Sequence, residues 1–359
     1  MADGLGGIGW DRFSALSPEA KSGYLAAPGI GGMPYHTLFA QQFDRPILER
    51  LAALANRIRF ISKSREGALH LKGLLAHKRA MLYFSQPSSR TFLSHLAACQ
   101  ILGLTTGSVR DAATSSEFKG ESKEDSIRTF SSYFDMIIMR SPEQGLAEKM
   151  AWELSNSSRP VPIINAGSGK DQHPTQALLD IYTLMRSFET KGGIDGRKVV
   201  FCGDLMRGRT VRSLSYLLTR FEGVKQVFVA PQELQVPADV VMVLAKKHVE
   251  FEVTDNLRGV VPGADAVYMT RIQDEWDESK GASAKIDTSR FKFGAEELAL
   301  LGPDAVIMHP LPRRDEISVC CDRDPRAMYW RQMRNGMWIR AALIAATFGL
   351  EREIVECGY

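Results

Sequence analysis

The sequence has no long hydrophobic run, no dominant charge sign and no cysteine framework. Its longest apolar stretch, residues 341–350, falls far short of the ~18 residues a membrane-spanning helix needs, so no membrane partner is expected. Forty-five basic residues nearly cancel 42 acidic ones, leaving +3. That balance argues against general polyanion binding, nucleic acid included, and places any anion selectivity on local cations. The five cysteines, Cys99, Cys202, Cys320, Cys321 and Cys357, are an odd number without CxxC spacing. They read as reduced, mostly buried thiols of a cytosolic protein, and the adjacent pair Cys320–Cys321 suits structural zinc poorly. HExxH and GxxxxGK[ST] are both missing, which disfavours zinc-protease chemistry and nucleotide hydrolysis. No metal or cofactor is expected. The Gly-rich, acidic start MADGLGGIGWDRF does not resemble a targeting segment.

What is present is ordinary: 44% hydrophobic and 24% charged residues, near the soluble globular average. At about 150 residues per domain, 359 residues suggest two domains and a tail. Residues 1–40 carry GLGGIG and APGIGGMP with no sustained period and read as an irregular extension. Beyond them, short apolar runs read as strands: 80–84, 136–139, VPIINAG, KVVFCGD, VKQVFVA, VEFEVTD, DAVYMTR and DAVIMHP. Helical patterns separate most of them, among them FLSHLAACQILG, ALLDIYTLMRSF, TVRSLSYLLTRF and a long C-terminal stretch, MYWRQMRNGMWIRAALIAATFG. Alternating strands and helices imply α/β domains with open, mostly parallel sheets.

In such sheets ligands bind beyond the carboxyl ends of the strands. Here those ends carry polar and cationic clusters, at residues 86–91, 140, 172–176, 204–210, 270–273 and 309–314. Ser88, Ser89, Arg90 and Thr91 lie between a strand and a helix, where backbone N–H groups, hydroxyls and a guanidinium suit a phosphate or carboxylate. The bland alternative is a serine that merely caps the helix. Arg140 ends a buried strand and needs a partner, which a structural ion pair would equally supply. His173, with Gln176 one turn later, is placed to polarise a carbonyl oxygen or simply to hold its loop. The turn GDLMRGRTVRS lacks GxGxxG, so nicotinamide binding is weakly supported. It offers Arg209 and Thr210 at a helix start instead. Two-residue alternation puts Arg271 and Gln273 on one strand face. Two separated arginines, Arg209 and Arg271, suit a dicarboxylate, surface charge being the plain alternative. In HPLPR a rigid loop presents the carbonyls of Pro310 and Leu311 to an amine or amide. The chemistry implied is anion recognition and carbonyl polarisation, without covalent or metal catalysis.

Taken together, SSRT (88–91), MRSP (139–142), HPTQ (173–176), GDLMRGRTV (203–211), YMTRIQ (268–273) and HPLPRRDEI (309–317) resemble the aspartate/ornithine carbamoyltransferase family, the aspartate branch in particular. The resemblance implies two similar three-layer α/β/α domains with central, mostly parallel sheets, joined by interdomain helices. The expected divisions are 41–177 for carbamoyl phosphate, completed by a C-terminal helix at 331–359, and 178–330 for aspartate. It implies transfer of a carbamoyl group from carbamoyl phosphate to L-aspartate, an early step of pyrimidine synthesis. Carbamoyl phosphate would be held by Ser88, Ser89, Arg90, Thr91, Arg140, His173 and Gln176, with Leu311 and Pro312 at the carbamoyl amino group. Arg90, Thr91 and His173 would polarise the carbonyl, and Arg209, Arg271 and Gln273 would orient aspartate. TSSEFKGES resembles the loop that a neighbouring subunit lends to the site, supplying Ser115 and the catalytic, aspartate-contacting Lys119. A homotrimer with shared active sites follows from the resemblance, with a regulatory chain or partner enzyme left open.

Three departures from the family pattern stand out: Gln86 in place of a glutamate, Leu96 in SHL in place of the usual SFE, and Trp276 in place of a basic residue. Gln86 cannot form the charged pair that holds the family's closed state, so closure is expected to be weaker or differently built. Two alternatives therefore stay open: another amino acid as acceptor, or a low-activity paralogue that binds ligands as a scaffold.

Overall fold

The computed structural model describes residues 4–25, 32–110, 120–169, 172–277 and 283–359. The chain divides into two compact units, residues 1–179 with 334–359, and residues 180–333. Two helices, Pro174–Phe188 and Tyr329–Thr347, run across those divisions in the chain.

The first unit is built on four parallel strands: β1 (Arg79–Phe84), β2 (Thr105–Val109), β3 (Met136–Ser141) and β4 (Ile163–Ser168), in the order β2-β1-β3-β4. Every residue of β3 and β4 is buried, and all of β1 except Arg79. Strands covered on both faces read as unbroken apolar runs, which is why they stand out in the sequence. β2 is the exception. It is a half-exposed edge strand, TTGSV, with no apolar run to betray it.

The second unit has five parallel strands, β5 (Lys198–Cys202), β6 (Lys225–Val229), β7 (Phe251–Thr254), β8 (Ala266–Met269) and β9 (Val306–Met308), ordered β7-β6-β5-β8-β9. Its core joins Val200, Val227, Val267 and Ile307 from the sheet to Phe291, Phe293 and Tyr329. In each sheet the strand order reverses once, between β1 and β3 and between β5 and β8. Those crevices are where a doubly wound sheet binds its ligands.

Among the described residues of the N-terminal segment, expected to be irregular, short helices occur. Residues 4–25 contain three one-turn helices, Gly4–Gly7, Trp10–Ser14 and Pro18–Ser22. None is long enough to show a helical period, so pattern reading misses them. Ser17 caps the third, its side chain accepting from Ala20 N–H with Pro18 following. Leu5, Ile8, Phe13 and Leu25 join the core around Met150 and Leu154. Trp152 Nε1 donates to the Ile8 carbonyl at 2.7 Å, and Lys21 meets Glu148 at 2.5 Å. Phe13, fully buried, packs its ring on Trp10 and Tyr24. Phe13→Leu is expected to cost about 1–2 kcal/mol, read as a lowered denaturant midpoint of this unit. An unchanged midpoint would mean that the segment adds nothing to stability.

Candidate active site

At the first crevice, β1 runs into the loop before the helix Ser89–Leu102. Phe84 is level with Arg140 of β3, and the Arg140 carbonyl accepts from Gln86 N–H at 3.4 Å. Strand pairing alone therefore brings residues 85–91 beside Arg140. Ser88 stands at the N-cap, yet its side chain makes no capping bond. The plain reading of that serine as a cap is thus not what the fold uses. The first turn of this fourteen-residue helix receives no bond from the Ser88 side chain, and a helix N-terminus favours an anion.

Arg140 and His173 are both buried. Arg140 Nη1 donates to the Ala166 carbonyl at 3.1 Å and lies 3.4 Å from His173 Nε2. A guanidinium has only hydrogens to offer, so this contact requires a bare lone pair on Nε2 and leaves the imidazole proton on Nδ1. The arrangement depends on Gly167. Its φ is +118°, and a Cβ there would lie 2.6 Å from Arg140 Nη1. Gln176 is buried a turn further on, its N–H bonded to the His173 carbonyl. Thr91 is buried and Arg90 exposed. Beneath them His95 is fully buried, with Nδ1 2.8 Å from the Thr91 carbonyl. Burial first, then the charges of Arg340 and Arg140, hold its pKa well below the usual histidine range. Ser115 and Lys119 lie outside the described residues.

The second crevice gathers the other set. Gly203, φ +119°, follows β5 where a Cβ would stand 2.1 Å from the Thr270 carbonyl, so glycine permits the loops after β5 and β8 to touch. Asp204 is fully buried. Burial raises its pKa, against bonds from the N–H groups of Gln273 and Arg207. Arg209 opens the helix Arg209–Leu218. Burial lowers its pKa to about 10, leaving it cationic at neutral pH. The Arg271 guanidinium forms a two-pronged pair with Glu275, one arm at 2.8 Å, and also reaches the Ile272 carbonyl. The expected sharing of a strand face by Arg271 and Gln273 does not hold. β8 ends at Met269, and both residues lie in the loop beyond it, Gln273 as the N-cap of a 3-10 turn. Strand alternation has no meaning there.

The loop after β9 is held by its own histidine. His309 is fully buried. Its N–H donates to Gln332 Oε1 at 2.9 Å and its Nδ1 accepts from Leu311 N–H at 2.8 Å. Nδ1 must then be bare, so Nε2 carries the proton and gives it to Glu316 at 2.7 Å. Burial lowers the His309 pKa, Glu316 opposing, which favours this neutral tautomer. Leu311 is half-buried and Pro312 exposed. Sequence reasoning missed Glu316, although it stands in the HPLPRRDEI stretch. It also missed Asp180, whose buried carboxylate accepts from Tyr268 OH and Gln332 Nε2.

Two family models cover most of the chain: the carbamoyl-P binding domain of aspartate/ornithine carbamoyltransferase at residues 35–186, and the Asp/Orn binding domain at 195–347. Aspartate carbamoyltransferase 1, chloroplastic, of Pisum sativum is 42% identical over 308 residues, covering 85% of this chain and 76% of that protein. The aspartate carbamoyltransferase catalytic subunit of Vibrio cholerae serotype O1 is 42% identical over 274 residues, 76% of this chain and 85% of that one. Aspartate transcarbamoylase from Trypanosoma cruzi, solved in complex with carbamoyl phosphate, superposes with a TM-score of 0.79 at 36% identity, covering 89% of this chain and 97% of that one. With both domain models matched in order over residues 35–186 and 195–347, the chain belongs to the aspartate/ornithine carbamoyltransferase family.

Proposed function

We infer that the protein transfers the carbamoyl group of carbamoyl phosphate to the amine of L-aspartate, releasing phosphate and N-carbamoyl-L-aspartate. The observation that carries the reading is the buried Arg140–His173 pair beside an uncapped helix N-terminus. A buried cation, an imidazole beside it and a helix N-terminus near the end of β1 are the kinds of group that suit a phosphate and a polarised carbonyl. Ser88, Ser89, Arg90 and Thr91 then hold the phosphate group, while Arg90, Thr91 and His173 draw electron density from the carbamoyl oxygen. The carbonyls of Pro310 and Leu311 accept the carbamoyl N–H groups, and Arg209, Arg271 and Gln273 orient the aspartate carboxylates. The amine lone pair attacks the carbamoyl carbon, the C–N bond forms, the C–O bond to phosphate breaks, and phosphate leaves with the amine proton. Positioning and preorganised charge supply the acceleration.

The test is to incubate the purified chain with carbamoyl phosphate and a panel of amino acids, following carbamoylated product. Product from aspartate and none from ornithine is expected. Turnover of a different acceptor would replace aspartate in this reading, and no turnover at all would favour a binding paralogue. We read the active form as a homotrimer in which a neighbouring copy lends Ser115 and Lys119, in the cytosol. The same preparation should then sediment at three times the chain mass.

A further inference from the structure

The loop after β8 carries both Arg271 and Gln273, yet it is irregular apart from one 3-10 turn. Its shape comes from side chains that reach it from the loop after β5. Asp204 Oδ1 accepts from Arg207 N–H at 3.1 Å, and Oδ2 accepts from Gln273 N–H at 3.0 Å. Arg207 Nη1 donates to the Gln273 carbonyl at 3.2 Å and pairs with Asp277 Oδ1 at 2.9 Å. Gln273 is thus gripped on both sides, by a carboxylate at its N–H and a guanidinium at its C=O. The side chains of Asp204 and Asp277 are 0% and 4% exposed and that of Arg207 is 18%. A second tie to the same loop, Arg314 with Asp274 at 2.8 and 2.9 Å, lies in the open, its side chains 51% and 47% exposed. Solvent weakens that exposed pair, whereas removing one partner from a buried cluster leaves charge without compensation.

We propose that Arg207 and Asp277 are positioning residues for aspartate, clamping the loop so that Arg271 and Gln273 meet the amino acid in one geometry. The proposal rests on the reading of those two side chains as aspartate ligands. Arg207 acts through the Gln273 peptide, so its loss changes the aspartate subsite and leaves the carbamoyl phosphate subsite alone.

The experiment compares the whole chain with its Arg207→Met, Arg207→Lys, Asp277→Asn and Arg314→Met variants, measuring KM for both substrates and kcat. Arg207→Met should raise KM for aspartate about tenfold, with KM for carbamoyl phosphate unchanged. Both contacts come from the single nitrogen Nη1, so lysine keeps the charge and the donors but not the planar guanidinium that fixes their direction, and Arg207→Lys should recover only part of the loss. Arg314→Met should shift KM by less than about twofold. The double variant Arg207→Met/Asp277→Asn should be no worse than Arg207→Met alone, because both remove one clamp. If Arg207→Met does not accumulate folded, the nearly isosteric Asp277→Asn carries the same test. An unchanged aspartate KM, or equal rises in KM for both substrates, overturns the clamp while the unaltered chain still carbamoylates aspartate. No aspartate turnover by the unaltered chain removes the underlying reading, and the proposal with it.

Discussion

Replacing Arg140 by methionine is expected to lower kcat/KM for carbamoyl phosphate about a thousandfold. Arg140 brings a fixed positive charge to the strand end beside residues 85–91, and its guanidinium also meets His173. Methionine fills similar volume, so the apolar packing of β3 survives. The charge goes, and so do the hydrogen bond to the Ala166 carbonyl and the contact that sets the His173 tautomer. Arg140→Lys should fall between, since a point charge returns without the planar guanidinium that fixes the direction of the Nη1 hydrogens toward both partners. Gly167→Ala offers a separate route to the same defect. The new Cβ would lie 2.6 Å from Arg140 Nη1, at a φ of +118° that alanine resists, so the arginine must move although its chemistry is intact. A loss of less than about tenfold in folded Arg140→Met would make Arg140 a strut between β3 and β4 and not a substrate ligand.

The parts of this site that were legible in the sequence share one physical cause. Strands buried on both faces must be apolar, so a polar or cationic residue at the carboxyl end of such a run is conspicuous. Arg140 after Met136–Met139 and His309 after Val306–Met308 are visible for that reason. β2 was invisible because an edge strand needs no apolar run, and the helices of residues 4–25 because one turn has no period. The groups that hold the loops were harder still. Asp204, Arg207 and Asp277 are charged residues in polar stretches, and nothing local distinguishes a carboxylate that will be fully buried from one that stays in water. Their partners lie 66 to 70 positions away in the chain, and only the pairing of β5 with β8 brings them together. The same limit explains the error over Arg271 and Gln273. Alternation is a property of the strand, and its end at Met269 is set by tertiary pairing with β5 and β9.

Lowering the pH from 7.5 to 5 should destabilise the first unit through histidines that fold neutral. His36 is fully buried, with Nδ1 accepting from Ile163 N–H at 3.1 Å and Nε2 2.8 Å from Ser155 Oγ. Burial lowers its pKa from 6.5 to about 3. The sign follows from proton counting. Below pH 6.5 the unfolded chain takes up a proton on His36 that the folded chain refuses, so stability is full above that pH and falls as the pH drops. One refused proton costs about 1.4 kcal/mol per pH unit, or about 2 kcal/mol between pH 6.5 and 5 from His36 alone. His95 adds to the loss in the same unit and the same direction, since burial and two arginines keep it neutral. His309 adds in the second unit, burial again outweighing Glu316. The salt-bridged carboxylates do not confuse this window. Asp274, held down to about 2 by Arg314, loses its contribution only as the pH falls through and below 3.8. Urea unfolding at pH 7.5, 6 and 5 measures the slope, and His36→Asn isolates the cause. Asparagine can still accept from Ile163 N–H but does not titrate, so the variant should be weaker at pH 7.5 and less pH-sensitive by about one proton. An identical slope in wild type and His36→Asn would mean that His36 is protonated in the folded chain, with its burial relieved by water or local opening.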